Sequence, residues 1–224
     1  MASRKWLFAA SLAVNLVCIV FAAAAVRQKG GIRWLRERLA PPRHATVFLG
    51  DSITAFQDWQ SSFPGRQIQN LGRPGQTTAQ ILSRMKQVEE QQPRALFLMA
   101  GVNDALQGIH VSDAAANYED IVRSIQRNCP GTEIYLISVL PVTGHASNTW
   151  APLRGHAPEI NRWIAAMNQR ISALADGRKT IYVDVDGDFL LRNEMNPAYT
   201  YDGVHLNRHG YGALRSDLLP FVYR

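Results

Sequence analysis

From residue 45 onward, short apolar runs alternate with stretches in which apolar residues recur every three or four positions. The runs predict strands at 45–49 (Ala-Thr-Val-Phe-Leu), 67–71 (Gln-Ile-Gln-Asn-Leu), 95–100, 133–140 and 180–185. The periodic stretches predict helices. Ile81, Leu82, Met85 and Val88 share one face, and Tyr118, Ile121, Val122 and Ile125 another. Ile160, Trp163, Ile164, Met167, Ile171 and Leu174 form the clearest stripe, and a last helix is expected from near Asn207 towards Leu219.

Strands of this kind, each followed by an amphipathic helix, predict a parallel sheet covered on both faces. With right-handed crossovers the simplest topology is a doubly wound five-stranded sheet ordered 2-1-3-4-5, a three-layer α/β/α domain over 45–224. The apolar and Trp positions on the helices are read as core. No internal repeat or second domain is visible.

The start of the chain differs. Trp6 to Val26 is a run of 21 residues whose only polar members are Ser11 and Asn15. At about 1.5 Å per residue a helix of that length matches a hydrocarbon core of about 30 Å. An uncleaved membrane anchor within 1–26 is therefore expected, with cleavage of a signal segment at Ala22–Ala25 as the alternative. Residues 27–44 form a basic linker carrying Arg27, Lys29, Arg33, Arg36 and Arg38, with Ile32, Leu35 and Leu39 as an apolar line that suits either a short helix at a lipid interface or a solvated linker. Pro41-Pro42 closes it. Counted literally, those charges would keep the domain cytoplasmic; the short basic start and export-like segment place it outside, which is the orientation expected here.

Composition narrows the classes. At 46% apolar and 19% charged residues the chain is ordinarily globular. The net charge of +6 falls by two, to +4, once Arg4 and Lys5 go with the apolar segment. No basic stripe is interleaved with aromatics, so nucleic acid is not an expected partner. The two cysteines, Cys18 and Cys129, offer neither a disulfide framework nor a metal knuckle. Val17 stands where a lipoprotein cleavage box needs a small residue.

In a parallel sheet every strand ends at the same rim, where α/β proteins place their ligands. The first strand runs into Gly50-Asp51-Ser52-Ile53 and the second into Asn70-Leu71-Gly72-Arg73-Pro74-Gly75-Gln76-Thr77. The third runs into Gly101-Val102-Asn103-Asp104, and Asp202-Gly203-Val204-His205 precedes the last helix. Each block alone reads as a cap or a turn. Four of them in this order on one rim are hard to produce by turn chemistry.

At these blocks the chain resembles the SGNH/GDSL hydrolase family over about 45–220, and looks closest to small esterases related to platelet-activating-factor acetylhydrolase catalytic subunits. The resemblance implies Ser52 as nucleophile, Gly75 and Asn103 as oxyanion donors beside the Ser52 N–H, and Asp202 and His205 as triad acid and base. It implies a flavodoxin-like sheet and no cofactor or metal. Two departures stand out: Ile53 replaces the Leu of the family name, and Arg73-Pro74 fills a position that is often Ile-Gly or Ile-Ser.

Physical chemistry is consistent with those roles. A serine hydroxyl needs a base within hydrogen-bond reach, and a neutral imidazole titrates in the right range. An acid three residues before the histidine can fix its tautomer. Asp51 is read as structural, His209 as a solvated helix residue, and the connection 143–157, with Trp150 and His156, as either a surface excursion or a border of the pocket.

The expected activity is hydrolysis of carboxylic esters, above all acetyl esters of carbohydrate or a small lipid. A lysophospholipase, thioesterase or acyltransferase would use the same triad. Two other classes remain: a membrane-tethered phosphate- or nucleotide-binding module using the 72–77 loop, and metal-dependent hydrolysis through Asp51, Asp202 and His205. The first leaves Asp202 and His205 unexplained, and the second lacks a further ligand cluster.

Overall fold

The computed structural model describes residues 44–224. The expected span 6–26 and nearly all of the basic linker lie outside the described residues. Among the described residues no helix is long and apolar enough to cross a membrane.

Five parallel strands form the central sheet: β1 (Thr46–Gly50), β2 (Ile68–Gly72), β3 (Ala95–Met99), β4 (Glu133–Ile137) and β5 (Thr180–Val183). Their order is β2-β1-β3-β4-β5, as the alternation predicts. Every residue of β1 and of β3 is buried, which is why both read as uninterrupted apolar runs. Edge strand β2 is half-exposed over most of its length, so it tolerates Gln69 and Asn70.

Between β1 and β2 lie the one-turn helices α1 (Ser52–Ala55) and α2 (Trp59–Ser62). Then come α3 (Thr78–Leu82) and α4 (Met85–Glu89) before β3, and α5 (Val102–Leu106) and α6 (Val111–Asn128) before β4. Helix α7 (Ala157–Ser172) leads to β5, and α8 (Asp186–Phe189) opens an excursion containing a short hairpin, β6 (Leu190–Leu191) and β7 (Glu194–Met195). Helix α9 (Arg208–Val222) ends the chain.

One face of the sheet carries an aromatic stack. Phe48, Phe97 and Tyr135 occupy paired register positions on β1, β3 and β4, with ring centroids 4.8 and 4.5 Å apart. Trp59 of α2 stacks on Phe48 at 4.4 Å, and Phe221 of α9 meets Tyr135 edge-on at 5.7 Å. Right-handed crossovers place α3, α4, α6 and α7 on the other face. There Tyr118, Ile121, Val122 and Ile125 are buried, as are Ile164, Met167 and Ile171.

Three expectations need correction. The helix expected across Ile81–Val88 is broken between Leu82 and Met85, because Arg84 turns inward and donates to the Leu71 carbonyl at 2.7 Å and to Gln76 at 2.8 Å. The strand expected over 133–140 ends at Ile137. Beyond it, two asparagines of α7 stand in for a neighbouring strand: Asn168 pairs with both backbone groups of Val139, and Asn161 with both of Val142. Asn has the donor and acceptor spacing of a peptide group, so the apolar run continues without its ladder. Likewise the strand expected over 180–185 ends at Val183; there the Ser138 hydroxyl accepts from the Val185 N–H at 2.9 Å, and Asp186 opens α8.

Candidate active site

Ser52 is the first residue of α1, immediately after β1. Asp51 caps that helix, its carboxylate accepting from the Ile53 N–H at 2.9 Å. This leaves the Ser52 N–H, one of the donors a helix start cannot satisfy internally, at the rim. Asp51 is 1% exposed, and burial pushes its carboxyl up to about 7. It belongs to the cap and makes no hydrogen bond to His205.

One turn cannot hold itself in place, and its carbonyls are taken up from elsewhere in the fold. Tyr211 of α9 donates to the Ile53 carbonyl at 2.9 Å. The Thr54 carbonyl accepts from Trp59 Nε1 at 2.8 Å and from Asn70 Nδ2 at 3.0 Å. Asn70, in the second block, thereby ties β2 to the Ser52 turn.

The loop before α9 brings the acid and the imidazole to this serine. His205 Nε2 lies 2.9 Å from Ser52 Oγ, and His205 Nδ1 lies 2.7 Å from Asp202 Oδ2. With the carboxylate facing Nδ1–H, Nε2 turns its lone pair to the serine hydroxyl. The other Asp202 oxygen accepts from the N–H groups of Val204 at 3.0 Å and His205 at 2.8 Å. Burial works to raise the Asp202 carboxyl, but the His205 side chain and those two N–H groups together hold it below the usual range.

The bend of this loop depends on Gly203, at φ +98°, with the Thr143 carbonyl 2.3 Å from where a Cβ would sit. The connection after β4 secures it further. Thr143 N–H donates to the Gly203 carbonyl at 3.0 Å and Trp150 N–H to the Asp202 carbonyl at 2.9 Å. The 143–157 segment thus borders the site through its backbone. His156 instead precedes α7 with Nδ1 3.7 Å from Glu159, and His145 lies 3.9 Å from Glu194. His209 is exposed on the first turn of α9.

Gly75 and Asn103 come from the β2 and β3 ends of the rim. Gly75 has φ +76° in a turn closed by Gln76 N–H on the Arg73 carbonyl, and its Cα faces open space. Asn103 Nδ2 gives one hydrogen to the Gln76 carbonyl at 3.0 Å, which leaves its second hydrogen for a ligand. Arg84 supports the same turn through Gln76, and burial, with Arg73 nearby, lowers its guanidinium to about 10.

Two residues that the motif reading passed over stand at the imidazole. Phe56 and Tyr201 have ring centroids 5.5 and 5.9 Å from that of His205. Their only signal in the sequence is adjacency, since one follows the Ser52 turn and the other precedes Asp202. A cavity of about 490 Å³ bounded by Pro141, Asn161, Arg162, Asp186 and Glu194 includes none of Ser52, Asp202 and His205. Among the described residues no three His, Cys, Asp or Glu side chains converge as metal ligands would.

A hydroxyl, an imidazole and a carboxylate in line, beside helix-start and amide donors, can carry out acyl transfer. Comparison with known proteins agrees. The chain is 24% identical over 183 residues to the platelet-activating factor acetylhydrolase IB subunit alpha2 of Rattus norvegicus, covering 79% of this chain and 75% of that one. A structure from Streptococcus pneumonia named for platelet activating factor superposes with a TM-score of 0.72 at 26% identity, over 95% of this chain and 99% of that one. A GDSL-like lipase from Bacteroides thetaiotaomicron gives 0.72 at 25% identity, over 85% and 96%. The model of the GDSL-like lipase/acylhydrolase family matches residues 48–213, nearly the whole described domain, and the chain belongs to that family.

Proposed function

We propose that the protein is a metal-independent serine esterase that hydrolyses carboxylic esters with short acyl groups, acetyl above all, through an acyl-enzyme. The observation carrying this is the unbroken line Ser52 Oγ, His205 Nε2, His205 Nδ1, Asp202 Oδ2, with contacts of 2.9 and 2.7 Å.

In this reading His205 takes the Ser52 proton as Oγ attacks the ester carbonyl. Asp202 keeps the ring oriented and stabilises the imidazolium. The negative oxygen is received by the Ser52 and Gly75 N–H groups and the Asn103 amide. Collapse expels the alcohol with the proton from His205, and water then repeats the sequence on the acyl-enzyme. The rat and other curated relatives are named as acetylhydrolases, which favours acetyl over longer chains. The apolar run 6–26 supports attachment to a membrane, tested by carbonate extraction of the full chain.

The test is hydrolysis of p-nitrophenyl acetate, butyrate and octanoate by the protein and its Ser52→Ala variant, with and without chelator. Turnover that needs Ser52, survives chelator and is fastest on acetate is expected. Rates rising with chain length would replace the acetyl reading by a lipid one. Turnover that survives Ser52→Ala would overturn the mechanism.

A further inference from the structure

The esterase reading fixes where each half of the substrate must lie, and the residues on the alcohol side are unusual. When the tetrahedral intermediate collapses, the acyl carbon keeps its bond to Ser52 Oγ and the bond to the alcohol oxygen breaks. That oxygen receives the proton His205 Nε2 took from Ser52. The alcohol oxygen must therefore sit within hydrogen-bond reach of Nε2, and the carbon frame attached to it must pass the side chains around the imidazole.

Two of those side chains are Phe56 and Tyr201. Tyr201 lies nearly parallel to the imidazole, 16° between planes, and Phe56 is tilted by 41°. Phe56 is 54% and Tyr201 46% exposed, among the most exposed large apolar residues described. Trp150, 48% exposed, is tied by its backbone to the Asp202 carbonyl. Core packing does not account for rings left half in water. The fold holds both near His205, because Phe56 N–H bonds the Ser52 carbonyl and Tyr201 N–H the His205 carbonyl.

We infer that Phe56 and Tyr201 form the alcohol subsite, and that the alcohol is a pyranose ring of an O-acetylated carbohydrate. A half-exposed aromatic ring offers one apolar face and leaves water at its edge. A sugar ring matches that with a flat C–H face and a hydroxylated rim. An alkyl chain would instead call for walls that exclude water on all sides.

The test holds the acyl group constant and varies the alcohol. kcat/KM is measured for an O-acetylated methyl pyranoside and for ethyl acetate with the wild type, Phe56→Ala, Tyr201→Ala and the ring-keeping Tyr201→Phe. The wild type should prefer the pyranoside. Each alanine variant should cut the pyranoside-to-ethyl ratio about five- to tenfold, the size of a lost stacking contact, while Tyr201→Phe should retain most of it. Since the readout is a ratio within one protein, partial unfolding of a variant cancels. Ratios within twofold of wild type in both alanine variants would overturn the subsite, and a wild type with no preference for the pyranoside would overturn the sugar assignment. Failure of the esterase reading looks different: no turnover on either ester and no labelling of Ser52 by a fluorophosphonate, which would remove this inference with it.

Discussion

Asp104 and Thr78 are joined three times. The buried carboxylate of Asp104 accepts from the Thr78 N–H at 3.0 and 3.2 Å and from the Thr78 hydroxyl at 2.6 Å. Asp104 follows Asn103 directly, and Thr78 stands three residues beyond Gly75. The two proposed oxyanion donors, which arrive from different strands, are thus set relative to each other by this clamp and by Asn103 on the Gln76 carbonyl.

Asp104→Ala should then lower kcat about tenfold with a smaller change in KM, since donor spacing matters most in the transition state. It should also cost about 1–3 kcal/mol of stability, because the Thr78 donors lose their partner. Asp104→Asn keeps an acceptor and should recover part of both. Asn103→Ala removes a donor outright and should cost about 10²–10³ in kcat. Steady-state kinetics with urea unfolding separate these effects.

Gly203→Ala should be more damaging than its size suggests. A methyl group there meets the Thr143 carbonyl at 2.3 Å and sits on a backbone at φ +98°, so the Asp202–His205 loop must shift. A fall in kcat of at least tenfold with a lowered Tm is expected; wild-type kcat would show that the bend is not required.

Asp51 gives a stability prediction with a definite sign. Its carboxyl titrates near 7 in the folded protein because it is buried, against 3.8 as a free side chain. Between about pH 4 and 7 the native state therefore holds more protons than the unfolded one. Stability falls as pH rises through that window and the effect is flat above it. Three pH units correspond to about 4 kcal/mol at most. Asp51→Asn can keep the cap to Ile53 while lacking the ionisation, so its stability should gain on the wild type between pH 4 and 8. Parallel curves in urea melts across that range would contradict the assignment.

Much of this architecture could be read from the chain because burial writes itself into sequence. Strands β1 and β3, covered on both faces, leave no polar residue in Val47–Leu49 or Leu96–Met99. The one-face stripes of α6 and α7 follow from the same rule. What escaped depends on partners distant in sequence. Arg84 breaks a helix because it reaches Leu71 and Gln76. Beyond the end of β4, Asn168 and Asn161 pair with the backbone of Val139 and Val142 in place of a neighbouring strand. The β6–β7 hairpin turns on Arg192 and Asn193, both at positive φ, where no glycine announces a turn. At the site, motif spacing pointed to Ser52, Gly75, Asn103, Asp202 and His205, whereas Phe56 and Tyr201 carry no pattern beyond lying next to them.

The most direct test of the central claim is mass-spectrometric mapping of fluorophosphonate labelling on wild type, His205→Ala and Asp202→Ala. A nucleophilic Ser52 activated by His205 predicts one adduct, on the peptide containing Ser52. Its formation should slow by at least a hundredfold in His205→Ala and by less in Asp202→Ala. An adduct on another residue, or labelling of Ser52 at the same rate without His205, would contradict it.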